Sequence, residues 1–68
     1  MIDEYIDDIQ RIKDDGAVVV IKWDGAREAL RQTVVITRQE TAYVWHRDCD
    51  DIALTLQEAI SAYKRAHP

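Results

Sequence analysis

The spacing of apolar residues changes twice along this chain. Apolar side chains recur every three or four residues up to Ile12, follow in continuous or alternating runs over residues 17–47, and return to helical spacing from Ile52 to Tyr63. A period of three to four residues is typical of an amphipathic helix, and alternation is typical of a strand with one buried side. The pattern therefore predicts strands in the middle of the chain with a helix before and after them.

The N-terminal segment predicts a helix over residues 2–14. Its apolar residues fall on one stripe, and acidic residues occupy the opposite side, where they suit the positive end of the helix dipole. The stripe consists of Ile2, Tyr5, Ile6, Ile9 and Ile12, and the acidic side consists of Asp3, Glu4, Asp7 and Asp8. Gly16 is expected to end the helix, because glycine takes the left-handed conformation at no steric cost.

Three strands are predicted, over residues 17–23, 32–38 and 41–47. Residues 18–21 are apolar at every position, the pattern of a strand that is covered on both sides or lies in the centre of a sheet. Asp24 and Gly25 form a turn signal, but residues 26–31 alternate poorly and include good helix formers. A tight hairpin with a long irregular second strand and a looser connection both remain open.

A two-residue turn at Gln39-Glu40 is expected to join the second and third strands. It places Ile36 opposite Tyr43 and Val34 opposite Trp45, so these four residues are the predicted core side of the sheet. The other side is half polar and is expected to reach solvent or a second subunit; it carries Thr33, Val35, Thr37, Ala42, Val44 and His46. A shift of the register by one residue would exchange the two sides.

The C-terminal segment predicts a helix over residues 51–66. Asp48 or Asp50 is expected to accept the free N–H groups of the first turn, and Lys64 and Arg65 suit the negative end of the helix dipole. The order of elements predicts an α+β fold: one small two-layer αβββα domain over residues 1–68, with a three-stranded antiparallel sheet flanked by N- and C-terminal amphipathic helices.

Size and charge narrow the class of protein. A chain of 68 residues buries only about 60% of the surface of its unfolded form, and small domains often gain stability by self-association. The single cysteine, Cys49, excludes an intrachain disulfide. Because the sequence has neither a signal-peptide pattern nor an apolar stretch of membrane-spanning length, we expect a cytoplasmic protein that does not bind membranes. The net charge of −4 disfavours non-specific binding to nucleic acid.

One segment gathers side chains that can bind metals or react: His46, Asp48, Cys49, Asp50 and Asp51. The paired ligand spacing of zinc sites is missing, and the neighbouring acids disfavour a reactive thiolate. A strand end followed by a capped helix explains the same residues. We therefore predict no catalytic residue, no metal site and no cofactor, and we expect His67 to be frayed.

The remaining surfaces favour a protein-binding role. Trp23, Tyr43 and Trp45 lie among basic residues, a mixture that can bind single-stranded nucleic acid on a sheet, but the small core needs most of these aromatic side chains. The predicted function is a non-enzymatic, acidic protein-binding or self-associating domain, expected to form a homodimer. The alternatives are a small inhibitor of phage or bacterial type whose acidic helix mimics a polyanion, and binding of single-stranded nucleic acid through the sheet.

The candidate partner-binding residues fall into two sets. The first set is an apolar row that helices on one side of the sheet would leave near the surface, since exposed apolar patches usually mark interfaces. The second set is the acidic side of the first helix, which would speed association with a basic partner. The two sets are Val18, Val20, Val35 and Val44, and Asp3, Glu4, Asp7 and Asp8.

Overall fold

The computed structural model describes residues 2–68, without the side chain of Ile2. Met1 and the place of the Ile2 side chain in the predicted apolar stripe therefore lie outside the described residues. The elements are α1 (Ile6–Asp14), β1 (Val18–Trp23), β2 (Gln32–Arg38), β3 (Tyr43–Cys49) and α2 (Ile52–Ala66). The strands form one antiparallel sheet in the order β1-β2-β3. The predicted α+β fold, with a helix before and after a three-stranded antiparallel sheet, is confirmed.

The N-terminal helix consists of two parts. A 3-10 helix spans Ile2–Tyr5, and α1 follows directly from Ile6. At the other end, Gly16 has a φ of +97°, and the N–H of Ala17 donates to the carbonyl of Ile12 at 3.2 Å. This bond satisfies a carbonyl of the last turns, and glycine takes the required left-handed conformation without strain. The predicted end of the helix at Gly16 is confirmed.

β1 is an edge strand, so the prediction of a strand covered on both sides or centrally placed was wrong. It pairs with β2 alone, and its side chains alternate in burial: Val19 and Ile21 are half-buried, whereas Val18 and Val20 are exposed. A continuous apolar run indicates that both sides of the strand are apolar, but it does not indicate which part of the protein covers each side. One apolar side of β1 therefore has no cover within residues 2–68.

The register between β2 and β3 differs from the predicted register by two residues. The connection contains a 3-10 helix at Gln39–Thr41 followed by Ala42 in the left-handed conformation, so it is longer than a two-residue turn. Ile36 lies opposite Trp45 instead of Tyr43. Because the shift is an even number of residues, it leaves each strand residue on its predicted side of the sheet.

Residues 24–31 form a loop, so the looser of the two predicted connections is the one observed. The N–H of Asp24 donates to the carbonyl of Arg31 at 2.7 Å and closes the end of the β1–β2 ladder. The Asp24 carboxylate accepts the N–H of Ala26 at 2.9 Å, and the Arg31 guanidinium donates to the carbonyl of Gly25 at 3.0 Å. These bonds hold the loop without a regular second strand.

Both helices pack on the same side of the sheet. Val34 and Ile36 project from the central strand and are 0% and 1% exposed. The strand residues in the core alternate along each strand, and the four residues predicted for the core side, Val34, Ile36, Tyr43 and Trp45, all lie on it. The core consists of Ile12, Ala17, Val34, Ile36, Leu56, Ala59, Ile60 and Tyr63, with Tyr5, Ile9, Val19, Ile21, Tyr43, Trp45 and Ile52 partly buried against it. The other side of the sheet carries no helix in the described part of the chain.

The helix α2 is capped by Asp51, and the prediction of a cap at Asp48 or Asp50 was wrong. The Asp51 carboxylate accepts the N–H of Leu54 at 3.1 Å. β3 continues to Cys49, beyond its predicted end at residue 47, and therefore takes Asp48 into the sheet. The cap is displaced along the chain because the strand is displaced.

Candidate interaction surface

The side of the sheet that faces away from the helices, which we call the open face, is an array of three rows. The pairing of the strands aligns one residue from each strand in every row. Two rows are mainly apolar and the third is polar. The rows are Val18, Thr37 and Val44; Val20, Val35 and His46; and Lys22, Thr33 and Asp48. The open face thus has an apolar end and a charged end.

The apolar end exposes large parts of three valine side chains. Val18 is 57% exposed, Val20 is 47% exposed and Val44 is 71% exposed. Val35 lies beside Val20 on the central strand and is half-buried. Scattered exposed apolar residues are common on protein surfaces, but a contiguous group indicates an interaction surface. The fold brings all four candidate valines together on one surface.

The charged end carries opposite charges at its two edges. The Asp48 carboxylate on β3 accepts a hydrogen bond from the Thr33 hydroxyl at 2.6 Å and lies 3.3 Å from the Arg27 guanidinium. The Thr33 hydrogen bond, and to a smaller extent Arg27, lowers the pKa of Asp48, while its partial burial acts in the opposite direction. Lys22 on β1 is exposed and forms no ion pair within residues 2–68.

The candidate cluster around Cys49 is divided between the two sides of the sheet. His46 and Asp48 lie on the open face, with His46 Nε2 3.6 Å from Asp48 Oδ1. Cys49 is 6% exposed and points to the helix side, because successive residues of a strand alternate between sides. The thiol and the imidazole therefore cannot act on one substrate, and residues 2–68 contain no group of three potential ligands placed to hold a metal ion.

The acidic candidate residues belong to the helix layer and do not share a surface with the valines. Asp3 and Glu4 lie in the 3-10 helix, and Asp7 and Asp8 lie in the first turn of α1. Asp8 forms an ion pair with Lys64 of α2 at 3.1 Å, which joins the two helices. The predicted acidic side is thus partly engaged in contacts within the chain.

The hydroxyl of Tyr63 joins three elements of the fold, although Tyr63 was predicted only as part of an apolar stripe. Its ring is 2% exposed, and its hydroxyl donates to Asp15 at 3.2 Å and accepts from Arg38 at 3.3 Å. The hydroxyl therefore connects α2 to β2 and to the end of α1. Burial raises the pKa of Tyr63, although the Arg38 hydrogen bond opposes that shift.

His67 is packed against Tyr63, so the prediction of a frayed residue was wrong. The two rings are stacked with their centroids 4.3 Å apart, and Tyr43 meets both rings edge-on. His67 Nε2 also lies 2.8 Å from the Thr41 hydroxyl. Burial raises the pKa of Tyr43. The Tyr43 hydroxyl is buried and has no hydrogen-bond partner among the described residues.

Two concave regions lie in the helix layer. A cavity of about 340 Å³ between the C-terminal ends of the helices is lined by Asp8, Asp15, Tyr63 and Lys64, among others. In a groove of about 280 Å³ beside β3, the Arg47 guanidinium lies 5.1 Å from the Trp45 ring centroid and pairs with Glu58. Most of these polar groups bond to one another, so neither region presents the converging free groups that a small-molecule site needs.

Comparisons with protein families, curated proteins and solved structures find no match for this chain. Within residues 2–68, neither helix has the length and apolar content that crossing a membrane requires. The surfaces of the domain itself are therefore the remaining guide to its function.

Proposed function

We propose that this protein is a small non-enzymatic domain that associates with a second copy of itself through the open face. The observation that carries the proposal is the exposure of Val18, Val20 and Val44 on one side of the sheet. The sequence of β1 is typical of a strand with cover on both sides, and the helices supply cover on one side. A second copy supplies the missing cover, and small domains commonly gain stability in this way.

The exposed area of the valines predicts weak association. The exposed fractions of 57%, 47% and 71% together amount to nearly two whole side chains in each copy. At roughly 1.5 kcal/mol for each fully buried valine, the two copies together gain about 5 kcal/mol. This gain is close to the lower bound of about 4 kcal/mol for the loss of freedom on association. A dissociation constant of roughly 1 mM requires a net gain of about 4 kcal/mol. The valines alone leave a net gain of about 1 kcal/mol, so we expect the other open-face residues to contribute roughly 3 kcal/mol more.

The other functions considered have weaker support. Binding of single-stranded nucleic acid needs several aromatic rings on one accessible sheet surface. Trp23, Tyr43 and Trp45 all lie on the helix side of the sheet, where Tyr43 and Trp45 pack against the core and Trp23 alone of the three is exposed. An acidic helix that mimics a polyanion needs free carboxylates, and Asp8 is paired with Lys64. Neither alternative accounts for the exposed valines.

Sedimentation equilibrium at loadings from about 20 μM to about 1 mM tests the proposal. We expect the average mass of the wild-type protein to rise towards that of a dimer. Val44→Lys should remain monomeric at these loadings, because it sets an ammonium group against the valines of the second copy. Val44 is 71% exposed in the single chain, so this change should leave the fold intact, as circular dichroism can verify.

Leu54→Lys is the matched control, because Leu54 is 51% exposed but lies on α2, away from the open face. It should associate like the wild type. If Val44→Lys is poorly folded, Val18→Lys at the opposite edge of the same row provides the same test. The proposal fails if the wild type stays monomeric at the highest loading, or if Leu54→Lys disrupts association as strongly as the open-face variants.

A further inference from the structure

Symmetry restricts how two open faces can meet. Packed sheets lie about 10 Å apart with their strands nearly aligned, and most homodimers have a two-fold axis. For aligned strands in two open faces that overlap completely, that axis lies between the sheets and runs either across the strands or parallel to them. The two arrangements bring different rows of the open face into contact, so the distribution of apolar and charged residues distinguishes them.

An axis across the strands reverses the order of the rows. It sets Val18 of one copy against Lys22 of the other, and Val44 against Asp48. Both contacts bury a charge against a valine, and Lys22 would be buried without a partner, which is strongly unfavourable. The row of Val18 and Val44 then meets the polar row, whereas the row of Val20 meets itself, so this arrangement leaves most of the exposed valine surface without an apolar contact.

An axis parallel to the strands sets each row against the same row of the second copy and β1 against β3. Val18 then meets Val44, and Lys22 meets Asp48. Lys22 and Asp48 lie two strands apart within one copy, at roughly 10 Å, and they do not pair there. In the dimer the Lys22 ammonium group of each copy pairs with the Asp48 carboxylate of the other copy. The two-fold symmetry therefore forms this ion pair twice.

We infer that two copies of this chain pack face to face about a two-fold axis parallel to the strands, with Lys22 of each copy paired with Asp48 of the other. This inference rests on the proposed self-association through the open face and specifies its geometry. The valine contacts supply the attraction, and the two charge pairs fix the orientation, because electrostatic complementarity contributes mainly to specificity.

Charge reversal tests the pairing. Lys22→Glu alone sets two carboxylates against each other at both edges of the charged end, and Asp48→Lys alone sets two ammonium groups against each other there. Each variant should bind itself at least about tenfold more weakly than the wild type binds itself. In an equimolar mixture of the two variants, both charge pairs have opposite signs again, so a heterodimer should form with an affinity within about threefold of the wild-type value.

Asp48→Lys loses the Thr33 and Arg27 contacts, so a second test should not depend on the folding of this variant. The dependence of self-association on salt concentration provides that test. Sodium chloride screens the charges. It should therefore weaken the self-association of the wild type and strengthen that of Lys22→Glu. Salt effects of the same sign on both proteins would overturn the inference.

The failure of this geometry is distinguishable from the failure of the proposed function. If the well-folded mixture associates no better than the separate variants while Val44→Lys still abolishes the wild-type dimer, the open face is the interface but the axis is wrong. If Val44→Lys has no effect, self-association through the open face is itself refuted.

Discussion

The hydroxyl groups of the three tyrosines have different surroundings, so removing each one should change the stability differently. The Tyr63 hydroxyl bonds to Asp15 and Arg38, and it thereby holds both helices and the central strand together. The Tyr43 hydroxyl is buried without a hydrogen-bond partner in the described chain. The Tyr5 hydroxyl forms no hydrogen bond within residues 2–68, although its ring packs against the core. Substitution by phenylalanine tests all three.

Tyr63→Phe should lower the free energy of unfolding by about 2 kcal/mol. A hydrogen bond to a charged group contributes roughly 1.5 to 3 kcal/mol, and the change removes two such bonds. Part of this loss is recovered, because Asp15 is exposed to water and Arg38 keeps its ion pair with Glu40 at 3.7 Å. A domain of this size has a total stability of about 3 to 10 kcal/mol. The melting temperature should therefore fall by about 8 to 16 °C.

Tyr43→Phe should leave the stability unchanged or raise it by about 1 kcal/mol, because a buried hydroxyl without a partner is itself unfavourable. Tyr5→Phe should change the stability by less than about 0.5 kcal/mol. Urea unfolding followed by far-ultraviolet circular dichroism measures all three, at a concentration low enough to keep the protein monomeric. Equal losses for Tyr43→Phe and Tyr63→Phe, or no loss for Tyr63→Phe, would refute the reasoning.

Three further predictions concern single contacts. Because the folded-state pKa of Asp48 lies below its unfolded value, the stability it contributes is present above about pH 4 and is lost as the pH falls through the folded-state pKa. The wild type should lose more stability than Asp48→Asn between about pH 6 and about pH 3 in urea unfolding, and equal losses would contradict this. Asp51→Ala removes the cap of α2 and should cost about 1 kcal/mol in thermal unfolding, more than the neighbouring Asp50→Ala. Ala42→Gly should stabilise the protein by up to about 1 kcal/mol, since Ala42 has a φ of +55°, and a loss of stability would argue against that left-handed turn.

The sides of the sheet could be predicted from the sequence, and the contacts along the strands could not. Alternation identified Val34 and Ile36 as core residues, and an error of two residues in the turn left that assignment intact. The turn itself was mispredicted because Ala42 adopts a left-handed conformation that alanine seldom takes. The position of β1 at the edge depends on the order of the strands, which its own residues do not encode.

The candidate surface was predictable in part for the same reason. Period-two spacing was enough to group Val18 and Val20 on one side of β1. The separation of His46 from Cys49 was not predicted, because the predicted strand ended at residue 47 and left Cys49 outside the sheet. The hydrogen bonds of the Tyr63 hydroxyl could not be predicted from the neighbouring sequence, because its two partners are 25 and 48 residues away along the chain. A buried tyrosine on an apolar stripe indicates that some partner is needed for its hydroxyl, but the fold decides which one.

Both helices cover one side of the sheet, and we propose that a second copy of the chain covers the other. Isotope-filtered nuclear Overhauser spectroscopy on an equimolar mixture of labelled and unlabelled protein, at about 1 mM, tests it most directly. We expect intermolecular contacts between the methyl groups of Val18 in one copy and Val44 in the other, and none to the buried methyl groups of Leu56. A spectrum without intermolecular contacts, or with contacts from Leu54 on the helix side instead, would contradict it.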